Sequence, residues 1–376
     1  MTTTLRVIVD EILNAQPTGV SRYAEELTRA LIATAPRGAR VEGVVASSTE
    51  AEYEDVLDRL PGISLYKSPL ARRELATAWQ HGFTRLTGII HAPSLLAPLS
   101  KHDRVNSRGQ QTIVTLHDVT PWVHPDSMET RGASWHIAMA KRAFKYADAL
   151  VVPSHAVADQ LAEYLDFGDR VRVIGGAVSP RLTVPVDAEA RAEKLGLPRD
   201  YLVTFGGLEP RRGIDQLLTA LSLRSTGDLP LVIVGTDDST SAAIAAAARD
   251  AGLHEERIIT LGYLGDRELA VVLDRATALV LPSRLEGFGL PLLEAFHFGT
   301  PVIHSDTPAL VEVAGEAGVV VELDGDDFAE RLADAIGSVA GDTSRREELG
   351  TAGRDRASMY SWESSAEKVW QLHADL

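Results

Sequence analysis

The stretch LPSRLEGFGLPLLEAFHFGTPVIHSD, Leu281 to Asp306, decides how the chain is read. An apolar strand runs out at Pro282 and a Gly287-Phe288-Gly289 loop follows. A helix is expected from about Leu290, with Pro291 in its first turn, where a missing N–H costs nothing. The first N–H groups of such a helix lack partners inside it, and the glycines open them to an anion with the helix dipole behind. Glu286 stands before the helix and Glu294 one turn inside it, eight residues apart. Carboxylates are poor neighbours for an anion but good acceptors for hydroxyls. A diphosphate flanked by two polyols, which is a nucleotide sugar, suits both.

Working outward, short β-branched runs alternate with helical patterns along the whole chain. The first half offers LRVIVD (Leu5 to Asp10), RVEGVVA (Arg40 to Ala46), ISLY (Ile63 to Tyr66), GIIHA (Gly88 to Ala92), QTIVTLHD (Gln111 to Asp118), ALVVPS (Ala149 to Ser154) and RVRVI (Arg170 to Ile174). The second half offers YLVTF (Tyr201 to Phe205), LPLVIVG (Leu229 to Gly235), RIITLG (Arg257 to Gly262), TALVLPS (Thr277 to Ser283), TPVIHS (Thr300 to Ser305) and GVVVEL (Gly318 to Leu323). Strands apolar on both faces suit parallel sheets covered by helices, so two doubly wound α/β domains are expected, facing across a cleft. Gly175 to Asp200, rich in Gly, Pro and charge, reads as the linker. The expected division is an N-terminal domain at 1–180, a C-terminal domain at 181–358 and a final helix at 359–376 that returns to the first domain in one reading.

Composition narrows the function. The chain has 376 residues, 45% hydrophobic and 24% charged, with a net charge of -16. Residues 1–187 hold 20 Lys+Arg against 21 Asp+Glu and the remainder 17 against 32, so one half is neutral and the other acidic. An acidic surface repels a polyanion, which argues against a nucleic-acid partner. The absence of cysteine removes disulfides, thiol catalysis and cysteine metal sites, and suits a cytoplasmic setting. No window resembles a signal peptide or a membrane-spanning helix. The segment RGASWHIAMAKRAFKYA, Arg131 to Ala147, reads as a core helix with a solvated basic face, with peripheral contact at the inner membrane face as the alternative. DGDD, Asp324 to Asp327, is expected to cap the helix from Phe328 rather than to hold a metal.

EGFGLPLLE, followed by GTPVI and PALVEVAGEAGVVVE, is similar to the signature of the retaining GT-B glycosyltransferases of family 4. Further matches run in order along essentially the whole chain: PTGVSRYAEEL (Pro17 to Leu27), TLHDVTPWVHPD (Thr115 to Asp126), VVPSHAVADQL (Val151 to Leu161), GGLEPRRG (Gly206 to Gly213), LGYLGDREL (Leu261 to Leu269) and YSWESSA (Tyr360 to Ala366). The resemblance implies that Glu294 accepts from ribose hydroxyls and Glu286 from the transferred hexose. It implies that backbone N–H groups after Gly287, at Phe288, Gly289 and Leu290, meet hexose and diphosphate. Arg212, helped by Arg211, stands where the family usually has a diphosphate-binding Lys. Gly19 is assigned to a glycine loop of the first domain, His117 to a place near the reacting sugar, and Tyr263 and Leu264 to the stretch that meets the base.

One departure is that many members carry an Arg where this chain has Gly207, and the version with LEPR resembles a subgroup that often transfers mannose. The expectation is a retaining, metal-independent hexosyltransferase with no cofactor beyond its nucleotide-sugar co-substrate, GDP-mannose being the first donor to test. A front-face route is favoured, in which a leaving phosphate oxygen takes the acceptor's proton. The acceptor is open among a saccharide, a lipid-linked sugar and a natural product. The alternatives are a non-catalytic nucleotide- or sugar-binding protein and a GT-B epimerase or phosphorylase.

Overall fold

The computed structural model describes residues 3–14, 18–83, 86–103, 106, 109–128 and 130–376. Pro17, which opens the PTGVSRYAEEL match, lies outside them. The chain divides into Met1–Gly176 together with Ser361–Leu376, here unit 1, and Ala177–Tyr360, unit 2.

All seven apolar runs of the first half form strands: β1 Thr3–Ile8, β2 Ala39–Ser47, β3 Ser64–Ala71, β4 Ile89–Ala92, β5 Gln111–Thr115, β6 Ala149–Val152 and β7 Val171–Val173. They pair in parallel in the order β3-β2-β1-β4-β5-β6-β7. The direction of winding reverses between β1 and β4, the position beyond whose carboxyl ends such sheets bind ligands. The final helix, Trp362–Asp375, packs on the helix Gly19–Ala33 of the same unit. Trp362 meets Tyr23 edge-on at 5.5 Å, and Ser365 Oγ donates to the Gly175 carbonyl at 2.8 Å.

Two buried histidines meet where that helix packs, His373 in its last turn and His91 on β4. His373 Nδ1 is 3.0 Å from Gln111 Oε1, and its ring meets that of His91 at 5.6 Å. Burial pushes His91 down from 6.5 to about 3, and His373 also lies well below the usual value, first through burial and then through the neighbouring His91. A histidine held neutral in the fold takes up a proton more readily when unfolded. Its contribution is therefore complete above about pH 6.5 and is lost as pH falls toward the folded value. On His91's account alone, stability is expected to drop by about 2 kcal/mol between pH 6.5 and 5. Urea titrations of wild type and His91→Leu at both pH values check this, and equal losses in the two proteins would refute it.

The six runs of the second half also form strands: β8 Leu202–Phe205, β9 Leu231–Val234, β10 Ile258–Leu261, β11 Ala278–Leu281, β12 Val302–Ser305 and β13 Val319–Val321. This sheet is parallel in the order β10-β9-β8-β11-β12-β13. Side chains alternate strictly between two cores. Leu202, Ile233 and Val280 face Leu217 and Leu332, whereas Val203, Val232 and Leu279 face Leu292 and Phe296. Here the winding reverses between β8 and β11, which are paired through Ala278↔Leu202 and Leu279↔Val203. The loops following these two strands are joined at the carboxyl edge by a backbone hydrogen bond from Arg284 N to the Arg211 carbonyl.

Two expectations are corrected. Most of the segment read as a linker belongs to unit 2: Leu182 is fully buried, Ala192 of the helix Ala188–Lys194 is buried, and Leu195 and Leu197 pack on the same core. Four apolar side chains at irregular spacing anchor it there. DGDD does not cap its helix. Asp327 precedes Phe328–Ala340 with φ -101° and ψ 22°, away from the extended conformation that folds a carboxylate back over the first turn, and it makes no cap bond. Asp327 pairs with Arg331 instead, and Asp324 Oδ1 accepts from Gly325 N at 3.0 Å.

The basic segment forms the helix Thr130–Tyr146, burying Ala133, Met139, Ala140 and Ala143 and turning Arg131, Lys141 and Phe144 outward. Among the described residues no helix is long and apolar enough to cross a membrane.

Candidate active site

In unit 2 the loop after β8 begins with Gly206 at φ +95° and ends with Gly213 at φ +68°. Between them Pro210–Arg212 makes a single 3-10 turn that carries Arg212 toward the loop after β11. Arg212 Nη1 donates to Glu286 Oε1 at 2.7 Å, and Ser283 Oγ donates to the same oxygen at 3.0 Å. Both members of the ion pair are largely shielded from solvent. The backbones interlock as well: Arg284 N donates to the Arg211 carbonyl at 2.7 Å, and the Arg284 guanidinium reaches the Pro210 carbonyl at 2.7 Å and Asp215 at 3.1 Å. A Cβ on Gly213 would lie 2.1 Å from the Pro282 carbonyl oxygen, so the two loops approach as closely as glycine allows.

Beyond Gly287, the chain turns into the helix Leu290–Phe298 through Gly289, in the left-handed region at φ +87°. No side chain caps this helix, and Pro291 stands in its first turn. The positive φ favours glycine here, and a Cβ on Gly289 would also come within 2.7 Å of Leu310 Cδ2. Phe288 points into the core, its ring edge-on to Tyr360 at 5.8 Å, which leaves its backbone as the part available to a ligand. Glu294 is 3% exposed. An acid held this deep needs polar partners.

At Gly207, where many family members carry Arg, the backbone N–H donates to Glu209 Oε2 at 3.0 Å, and a Cβ would lie 2.7 Å from Thr240 Cγ2. The missing side chain is thus matched by a close neighbour. Tyr263, 45% exposed, and half-buried Leu264 follow β10.

Unit 1 holds the other two candidates. Gly19, expected in a loop, is the first residue of the helix Gly19–Ala33, capped by Thr18 Oγ1 accepting from Ser21 N at 3.2 Å. The physical reason is this cap, which draws the glycine into the first turn. No atom lies within 4 Å of a Cβ built there, so the unit's own packing does not demand glycine. His117 lies two residues past β5, and its Nε2 is 2.7 Å from the Pro93 carbonyl. A carbonyl only accepts, so Nε2 carries the proton and Nδ1 keeps its lone pair. Burial pushes the ring's pKa down, favouring the neutral form. Tyr23 meets it edge-on at 4.8 Å. Asp118 Oδ1 accepts from Thr120 N at 2.9 Å.

Arg211, Arg212, Glu286, Gly287, Phe288, Gly289, Leu290 and Glu294 therefore stand on the two adjoining loops and the helix that the second leads into, with Tyr263 and Leu264 on the loop after β10. Gly19 and His117 stand at the carboxyl edge of the sheet in unit 1. Ser283, Ser305, Thr307, Tyr23 and Trp362 support these residues and are given no role by the sequence, although all but Thr307 lie within the stretches quoted above.

The profile described as Glycosyltransferase Family 4 matches residues 17–182, and that described as Glycosyl transferases group 1 matches residues 187–356. The chain is a family 4 glycosyltransferase. Among similar proteins, the alpha-maltose-1-phosphate synthase of Mycolicibacterium smegmatis is 27% identical over 76% of this chain and 78% of its own. The MMP alpha-(1->4)-mannosyltransferase of Mycolicibacterium hassiacum is 27% identical over 82% of this chain and 79% of its own. Anabaena HepE, solved in complex with UDP and glucose, superposes with a TM-score of 0.74 over 100% of both chains at 16% identity. The glycosyltransferase thus has the GT-B architecture of two parallel-sheet, Rossmann-like domains.

Proposed function

We propose that this glycosyltransferase moves a hexose, with retention, from a nucleoside diphosphate donor to an acceptor hydroxyl. The observation that carries the proposal is the Arg212–Glu286 pair, set at the winding reversal of unit 2 beside a glycine-opened helix start with Glu294 buried one turn inside. Arg212, with Arg211 near it, faces the diphosphate, and the N–H groups from Phe288 to Leu290 add fixed positive dipoles. Glu286 accepts from hexose hydroxyls and Glu294 from the ribose, while Tyr263 and Leu264 meet the base. Gly19 and neutral His117 serve the reacting sugar from unit 1.

In the reaction the anomeric carbon–phosphate oxygen bond breaks on the face where the acceptor oxygen bonds. The acceptor's proton passes to the departing phosphate. Positive groups aimed at that phosphate stabilise the charge it gains, in a metal-independent route. GDP-mannose is the donor proposed, supported by mannosyl transfer in the name of the M. hassiacum relative. UDP in the HepE complex makes UDP sugars the comparison to run.

Glu294→Ala is expected to weaken nucleotide binding at least tenfold, since a hydrogen bond to a charged group is worth about 1.5–3 kcal/mol. Calorimetric titration of GDP and UDP into wild type and variant tests the ribose role and the base together. Unchanged affinity for the nucleotide that wild type prefers would remove Glu294 from it.

A further inference from the structure

We propose that Ser283, Ser305 and Thr307 are positioning residues that hold Glu286 in the orientation by which the enzyme chooses its hexose. This rests on the reading of Glu286 as the carboxylate that meets the donor sugar.

Ser283 is the second residue after β11, and its side chain is buried. Its hydroxyl donates to Glu286 Oε1 at 3.0 Å, the oxygen that Arg212 also binds at 2.7 Å. With both bonds on Oε1, Oε2 has no hydrogen-bond partner among the described residues and is the oxygen left for a hydroxyl. Which way Oε2 points depends on where Ser283 is held.

That is set one strand away. The Ser283 carbonyl accepts from Ser305 Oγ, at the end of β12, and from Thr307 Oγ1, just before the helix Pro308–Ala314. Ser305 and Thr307 are both buried, and their hydroxyl oxygens lie 2.9 Å apart. Two buried side chains thus donate to one carbonyl in the loop. A carbonyl held by two such donors cannot rotate without stranding a buried hydroxyl, which is costly. The peptide plane, the Ser283 side chain and the Glu286 carboxylate are therefore fixed in sequence. A fixed acceptor discriminates between sugars that differ in the direction of one hydroxyl, because the wrong epimer leaves it unpaired.

The test measures what the sugar adds to nucleotide affinity. Calorimetry compares GDP with GDP-mannose and GDP-glucose, epimers at C2, and UDP with UDP-glucose and UDP-galactose, epimers at C4. Wild type should bind one sugar nucleotide more tightly than its epimer. Ser283→Ala and Thr307→Val should each reduce that preference about tenfold, the scale of one charged hydrogen bond. Affinity for the nucleotide alone should stay within about twofold, a change worth under 0.5 kcal/mol. Thr307→Ser, which keeps the hydroxyl, should restore the preference.

A general loosening of unit 2 would lower nucleotide and sugar-nucleotide affinity together, and that result overturns the proposal. So does an unchanged epimer preference in both Ser283→Ala and Thr307→Val while Glu286→Gln abolishes it, which leaves the role of Glu286 intact. If Glu286→Gln itself leaves the preference unchanged, or wild type shows none, the underlying reading of Glu286 fails. Should Ser283→Ala not fold, the Thr307→Val and Thr307→Ser pair decides alone.

Discussion

Replacing Arg212 by alanine is expected to lower kcat roughly a hundredfold, the scale seen when one preorganised donor to developing charge is removed. The loss should persist at saturating donor, because the charge on the departing diphosphate grows in the transition state and an interaction made there acts on turnover. Arg212→Lys should recover most of the rate. The contact seen here is a single Nη1–Oε1 bond to Glu286, not a two-pronged one, so an ammonium can replace it. Steady-state transfer assays on the three proteins are the measurement. A kcat for Arg212→Ala within a factor of about three of wild type, under 1 kcal/mol of barrier, would take Arg212 out of the chemistry.

Gly213→Ala should be the most damaging single methyl in unit 2. The residue has φ +68°, where a side chain costs about 1–2 kcal/mol, and the new Cβ would sit 2.1 Å from the Pro282 carbonyl oxygen. That carbonyl belongs to backbone, so relief requires parting the two loops that bring Arg212 and Glu286 together. A total loss of roughly 3 kcal/mol is expected, or about 6–12 °C in Tm for a unit of this size. Gly252→Ala is the control, because Gly252 has φ +81° and its added methyl would meet no atom within 4 Å. Equal thermal losses in the two variants would show that backbone conformation alone, and not the close approach of the loops, accounts for the effect.

Much of this architecture is legible in the sequence. The central runs are legible because parallel strands covered on both faces carry no polar alternation to mislead the eye, as Ala278–Leu281 shows, buried along its whole length. The helix start at Leu290 is legible because Gly289 and Pro291 each have one conformational use there. The supporting network is not. Ser283 and Ser305 read only as the last residues of two apolar runs and Thr307 as part of neither, and their bonds span 22 and 24 positions with no periodicity to announce them. The false linker has the composition of one, and its anchoring Leu182, Ala192, Leu195 and Leu197 are too few and too scattered among Gly, Pro and charge to announce a core. Asp327 has the right side chain for a cap, but the backbone angle decides, and that is a property of the fold around it.

The order of the chain has a consequence for biosynthesis. Unit 1 is made of two pieces, with all of unit 2 between them, and its missing piece is the helix whose Trp362 covers Tyr23 behind His117. As the polypeptide leaves the ribosome, unit 2 emerges whole and is free to fold while the unit that began first still lacks a wall. The first-born half is the last to be finished, and a nascent chain arrested before Ser361 leaves an aromatic surface uncovered for chaperones to find.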